Sequence, residues 1–212
     1  MCNRAIIFDL DGVICHTDEY HYQAWKSVAD SLGIPFDRQI NHRLRGVSRM
    51  DSLEIILEQY PGTLSQVEKE ALADEKNDLY KEYLKQMSPS DLSDEVRTTL
   101  DELRARGYKL AIGSSSKNAR FILNQLGLGT FFDAVSDGTN ITRSKPDPEV
   151  FVKAAQMLDV PCAQCLVVED AVSGAAAGKA GGMKVACVGA AAEEKAGDYN
   201  LISFRDLLTI AR

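Results

Sequence analysis

Ala5-Ile6-Ile7-Phe8-Asp9-Leu10-Asp11-Gly12 decides how the rest of this chain is read. Four consecutive apolar residues, Ala5 to Phe8, read as a short buried strand. Two carboxylates follow at its C-terminal end, two positions apart, and Gly12 lets the backbone turn sharply behind them. In an open α/β sheet, ligands bind outside the carboxyl ends of the strands. Standing alone, such an Asp-Gly pair more often marks a simple turn after a strand. An EF-hand loop does not fit, because no ladder of acids and no closing glutamate follows.

Working outward, further strand-like runs are predicted at 109–113, 134–136, 165–169 and 184–188, with a weak one at 201–203. Helical patterns lie between them. The stretch 94–106 begins after Ser93 and ends at Gly107. The stretch 117–126 begins after Ser116, read as its N-cap, and ends at Gly127. A third, 148–158, has a proline in its first turn, and 171–180 runs to Gly181-Gly182. Strands alternating with single helices predict an α/β fold, a doubly wound parallel sheet with a Rossmann-like core.

Residues 16–87 break that alternation and contain no convincing strand. Helical stretches are predicted at 17–32, 48–59 and 65–85, the last opened by Ser65-x-x-Glu68, which resembles a capping box. The chain therefore reads as an α/β core, residues 1–15 and 88–212, with a helical-bundle cap, residues 16–87, inserted after the first strand. That placement puts a movable lid over Asp9 and Asp11.

Composition narrows the function classes. The chain has 212 residues, 45% hydrophobic and 26% charged, as in an ordinary soluble globular protein. No apolar run approaches the roughly 20 residues of a membrane span. Met1-Cys2-Asn3-Arg4 leads straight into a strand, without the features of a signal peptide, which predicts the cytoplasm. Net charge is −7 and no basic tract occurs, so nucleic acid is not an expected partner. The five cysteines are expected to be free thiols. Cys162-Ala-Gln-Cys165 is a lone C-x-x-C with no second pair and no nearby histidine, and reads as a loop entering a buried strand.

Three more signals sit where a doubly wound sheet brings them beside Asp9. In Gly113-Ser114-Ser115-Ser116-Lys117-Asn118 a strand opens into a helix, where hydroxyls and free N–H groups can hold an anion. Lys145-Pro146-Asp147-Pro148 places a lysine on a stiff loop. Val167-Val168-Glu169-Asp170 ends a buried strand in two acids. Each has a bland alternative taken alone: an N-cap serine, a surface charge, a helix cap at Asp170. Together they can do phosphate chemistry. One acid can attack phosphorus, another can shuttle a proton, and Mg²⁺ would sit between the acids and the phosphate.

The chain order of strand-DxD, strand-Ser, Lys-Pro and strand-Glu-Asp resembles the haloacid dehalogenase-like superfamily of phosphotransferases, and the resemblance covers nearly the whole chain. It implies that Asp9 is a nucleophile that becomes an aspartyl phosphate and that Asp11 is the general acid/base. It also implies that Ser114 and Lys145 hold phosphoryl oxygens. One Mg²⁺ would be held by Asp9, Glu169, Asp170 and the backbone carbonyl of Asp11.

The segments 19–25 and 45–52, with Lys76-Asn77 and Ser116-Lys117-Asn118, are similar to those of hexose-phosphate mutases within that superfamily. That similarity implies interconversion of β-D-glucose 1-phosphate and glucose 6-phosphate, with β-glucose 1,6-bisphosphate as intermediate and primer. Arg49 would grip the second, non-reacting phosphate, helped by Ser116, Lys117 and Asn118. His21 would link the acid/base carboxylate to the closed lid. Trp25, Gly46, Val47, Ser52, Lys76 and Ser115 complete the expected substrate-binding set, acting on a free sugar phosphate in a monomer. Arg45, where lysine is common, Cys15-His16 in the first hinge and the hydroxyl of Ser115 depart from the pattern without removing a catalytic group. A sugar-phosphate phosphatase on the same scaffold is the nearest alternative. A non-catalytic sensor is the remaining one, and the intact acid set speaks against it.

Overall fold

The structure is a computed structural model, and it describes residues 4–45 and 47–211. The first apolar run forms β1 (Ala5–Phe8), fully buried along its length. It pairs in parallel with β2 (Lys109–Gly113) on one side and β4 (Cys165–Glu169) on the other. With β3 (Ala134–Ser136), β5 (Lys184–Cys187) and β6 (Tyr199–Asn200) these make one parallel sheet of order β3-β2-β1-β4-β5-β6. The chain moves outward from β1 to β2 and β3, then crosses back to β4. The β1/β4 boundary is thus the point where strand order reverses, and a crevice opens there at the carboxyl ends.

Strand alternation feeds two separate cores. Ile6, Phe8, Leu110, Ile112, Leu166 and Val168 point to one face. Ala5, Ile7, Ala111, Val167 and Val185 point to the other, under α7 (Glu149–Met157) and α8 (Val172–Ala180). The amphipathic helix α5 (Asp94–Ala105), capped by the Ser93 hydroxyl, covers the first face with α6 (Ala119–Gln125) and α10 (Leu207–Ile210). The short α9 (Gly189–Glu193) adds Ala191 to the second. Both faces are covered, as an all-parallel sheet requires.

Residues 18–84 supply only helices: α1 (Asp18–Ser31), α2 (Arg38–His42), α3 (Arg49–Leu57) and α4 (Gln66–Leu84). Their far ends share a third core of Trp25, Val28, Ala29, Phe36, Leu53 and Ile56. The Ser65/Glu68 capping box is present at the start of α4.

Several expectations are corrected. The weak strand is displaced to Tyr199–Asn200, because Leu201 N–H already donates to Cys187 O past the end of the pairing. The turn α2, fixed by the Asp37 carboxylate accepting from Ile40 N–H, has too few apolar residues for periodicity to reveal it. Ser116 does not cap α6. Asn118 stands at that N-cap, while the Ser116 hydroxyl accepts from Asn118 N–H in a local turn. Gly46 lies outside the described residues.

Gly12 shows how tightly the backbone is drawn under the acids. Its φ is +81°, and a Cβ built there would lie 2.2 Å from Asp170 Oδ2. Gly12→Ala is expected to destabilise the protein by at least about 1 kcal/mol from the left-handed backbone alone, and to displace Asp170. Thermal unfolding checks the first effect: each kcal/mol corresponds to a midpoint drop of roughly 2–4 °C in a chain of this size.

Candidate active site

Asp9 extends from β1 at the reversal point and Glu169 from β4 beside it, so parallel pairing alone brings the two carboxylates together. Lys145 reaches between them from the loop before α7. Its Nζ lies 2.6 Å from Asp9 Oδ1 and 2.5 Å from Glu169 Oε1. Glu169 Oε2 accepts from the N–H groups of Asp170 and Ala171 at 2.9 and 3.0 Å. Behind it, Gly174 leaves the space the carboxylate fills, since a Cβ there would lie 1.8 Å from Glu169 Oε1.

Asp9, Glu169 and Asp170 each offer an oxygen within 4.8 Å of the others. Burial pushes the Asp9 carboxyl well up, opposed by Lys145 and reinforced by its acidic neighbours. Burial and the charge of Glu169 push Asp170 up to about 7. Lys145 is pushed up by Asp9 and Glu169 despite its own burial, so it stays an ammonium. Three acids against one buried lysine leave excess negative charge in a hard-oxygen donor set. Such a set fits a divalent cation like Mg²⁺.

Asp11 turns the other way. Its Oδ1 accepts from the Thr17 hydroxyl, whose own oxygen accepts from Tyr80 OH at 3.0 Å. His21 Nε2 lies 3.8 Å from Asp11 Oδ2. Burial would push this carboxyl up, but His21 and Thr17 outweigh it and hold it below the usual range. His21 stacks on Tyr80 with centroids 4.0 Å apart, and its Nδ1 lies 2.8 Å from Lys76 Nζ. Asp11, held as a carboxylate, can only accept, so neutral His21 carries its proton on Nε2 and presents Nδ1 to Lys76 as an acceptor. Lys76 also lies over the rings of Tyr80 and Trp25, at 4.4 and 5.0 Å. Burial, then Arg49, brings Lys76 down to about 7. Desolvation and the Lys76 charge likewise push His21 down.

A second polar cluster joins the inserted helices to the sheet. Asn77 Oδ1, on α4, accepts from Arg49 Nη2 at 2.7 Å and from Asn118 Nδ2 at 3.0 Å. Next to Asn118, the Ser114 hydroxyl accepts from Ser116 N–H at 3.2 Å. Ser115 Oγ is buried without a hydrogen-bond partner.

One cavity of about 1160 Å³ joins both clusters. Among the described residues, every one expected from the sequence lines it. Trp25 and Ser52 do so while nearly fully buried, so Trp25 is core and cavity wall at once. Sequence reasoning missed Thr17 and Tyr80, which hold Asp11, and Asn77, whose part is visible only once α4 meets Asn118 at the start of α6. The neighbouring Lys76-Asn77 pair was its one signal.

Known proteins resemble this chain in sequence and in fold. The family model of the haloacid dehalogenase-like hydrolases matches residues 3–182. The chain is 43% identical over 189 residues to a β-phosphoglucomutase of Bacillus subtilis, covering 88% of this chain and 83% of that protein. It is 34% identical to a fructose-1-phosphate phosphatase of Escherichia coli, covering 84% and 93%. The solved structure of β-phosphoglucomutase from Clostridium difficile superposes with a TM-score of 0.91 at 35% identity, covering 97% of this chain and 93% of that one.

Lys76→Met removes a buried cation whose folded pKa of about 7 lies below its ordinary value of 10.5. A lysine depressed in this way costs stability below the folded value, and that cost fades as pH rises to the unfolded value. The variant should therefore unfold at higher temperature than the wild type. The gain is expected to be greatest below pH 7 and to vanish above pH 10.5. The imidazole of His21 should titrate at higher pH in the variant, followed by NMR, because a positive neighbour is gone.

Proposed function

The chain belongs to the haloacid dehalogenase-like hydrolases, and from that premise we propose that it acts as a β-phosphoglucomutase. In this reading it interconverts β-D-glucose 1-phosphate and glucose 6-phosphate: phosphorylated Asp9 gives its phosphoryl group to the 6-hydroxyl, forming β-glucose 1,6-bisphosphate, and Asp9 then takes the other phosphoryl group from O1. The observation that carries the reading is the second polar cluster. Arg49, Asn118 and Lys117 line the same cavity as Asp9 and Lys145, which suits a substrate with a phosphate at each end.

Asp9 attacks phosphorus as a carboxylate, the form that burial opposes and that the Lys145 ammonium beside it favours. Lys145, already an ammonium, offsets charge on the transferring group, and Ser114 donates to another of its oxygens. Asp11 receives the proton of the attacking sugar hydroxyl and returns it to the leaving oxygen in the opposite step. Its depressed pKa keeps it ready to accept, and His21 and Thr17 fix its direction. Asp9, Glu169, Asp170 and the Asp11 carbonyl would hold Mg²⁺, which when bound supplies further charge neutralisation at the phosphoryl group.

Residues 16–87 serve as a cap over the α/β core. Arg49 grips the distal phosphate with a planar guanidinium, and Lys117 and the turn at Ser116–Asn118 meet it from below. Because those ligands lie on both parts of the chain, a bisphosphate draws the cap shut and keeps water from the aspartyl phosphate. Val47, Ser52 and Lys76 face the sugar, with Gly46 expected beside them. Ser115 has a spare hydroxyl donor for the same ligand. The partner is a small sugar phosphate, handled by a monomer in the cytoplasm.

The phosphatase reading draws on the similarity to the Escherichia coli enzyme and makes a different product. Purified protein supplied with β-glucose 1-phosphate, Mg²⁺ and a trace of β-glucose 1,6-bisphosphate should accumulate glucose 6-phosphate with little inorganic phosphate. Dominant phosphate release would establish the phosphatase instead. Asp9→Asn should abolish both products, and turnover retained by it would remove the nucleophile assignment. Arg49→Ala should cost the mutase reaction roughly 10- to 100-fold, the worth of a charged hydrogen-bonded pair. Hydrolysis of p-nitrophenyl phosphate, which has no distal phosphate, should fall much less. Equal losses would count against a distal clamp.

A further inference from the structure

Arg45 lies between α2 and α3, one third of its side chain exposed, and has no part in the reaction as proposed. Its guanidinium meets three different surroundings. Nη2 pairs with Asp18 at the start of α1. Nη1 lies 4.0 Å from Asp170 Oδ2 at the end of β4. Nε is buried and has no hydrogen-bond partner. A buried donor left unpaired costs free energy, so the side chain is not simply resting in solvent as most surface arginines do.

The other two acids have their own partners. Asp9 and Glu169 share Lys145, and Glu169 also takes two backbone N–H groups. Among the described residues, Arg45 is the one cationic side chain within ion-pair range of Asp170. It comes from the inserted helices, whereas Asp170 belongs to the sheet.

The geometry points to Arg45 as a positioning residue that competes with a divalent cation for Asp170 and so ties cap closure to metal occupancy. This rests on the reading of Asp9, Glu169 and Asp170 as the metal site. With no cation bound, the guanidinium supplies part of the missing positive charge and draws the cap toward the core. An entering cation places two positive charges beside it. Either Arg45 withdraws or the cation binds less tightly. Withdrawal is easy because Asp18, on the same set of helices, keeps a partner for it. The coupling is reciprocal: whatever presses Arg45 onto Asp170 weakens the cation by the factor by which the cation loosens Arg45.

The test is calorimetric titration of the full chain with MgCl₂, without substrate. Arg45→Gln should bind Mg²⁺ roughly ten times more tightly than wild type at low ionic strength, as expected for removing a like charge a few ångströms from the ion. The difference should shrink as KCl is added. Arg45→Ala is measured beside it, with unfolding curves in EDTA, so that a folding defect in one variant does not decide the outcome. Affinity equal to or weaker than wild type in the folded variants overturns the competition. Asp170→Asn checks the site itself and should weaken Mg²⁺ binding in every background. If wild type takes up no Mg²⁺, or Asp170→Asn changes nothing, the metal reading falls and this inference with it. If Asp170→Asn weakens binding while the Arg45 variants match wild type, only the competition falls.

Discussion

Three carboxylates converge where β1 and β4 end, and one buried ammonium holds two of them, Asp9 and Glu169, together. Lys145 is within 2.6 Å of Asp9 and 2.5 Å of Glu169, with almost no solvent access. Like charges this close repel strongly at low dielectric, and an unpaired buried charge is costly. The surrounding fold is organised around that constraint. Two backbone N–H groups at the start of α8 are turned onto Glu169, and two glycines are stripped of the Cβ that would strike a carboxylate. Even so the charge is not balanced, and burial together with the charge of Glu169 pushes Asp170 up to about 7. The site is stable enough to exist and still has room for more positive charge.

Much of this was legible in the sequence because it depends on short-range rules. A strand buried on both faces must be apolar throughout, so its boundaries show as the first polar residue, and at Asp9 and Glu169 that residue is also the functional one. Parallel pairing then places the ends of β1 and β4 side by side without further information. The helix starts at Ser65 and Ser93 were readable for the same reason, since an N-cap is a local hydrogen bond.

What the sequence concealed depends on tertiary placement. Ser116 looks like an N-cap, yet its hydroxyl is taken by a tight turn one step earlier than the helix. Thr17 and Tyr80 are 63 positions apart, and only the packing of α1 against α4 makes them a support for Asp11. Asn77 could have been any polar residue on an exposed helix until α4 met Asn118 at the start of α6. Arg45 was visible as a departure from a pattern, but its two carboxylate partners come from different parts of the chain. Residues whose roles are set by contacts across two packed units carry little local signature.

The division between apolar and polar contacts also suits the cap closure proposed above, in which the two units stay joined at one end and open at the other. Ala24, Tyr80, Leu84 and Met87 belong to the same core as Phe8 and Leu10, so the hinge ends of α1 and α4 are anchored by apolar burial. The far ends of those helices keep a separate core of their own and do not depend on the sheet for it. Across the mouth of the cavity the two units touch through polar groups: Asn77 with Asn118, and Arg45 with Asp170. Apolar contacts lose their stabilisation when opened to water, whereas polar pairs exchange their partners for water at small net cost. Anchoring the hinge with the first kind and fastening the mouth with the second leaves the opening to be decided by whatever charge enters between them.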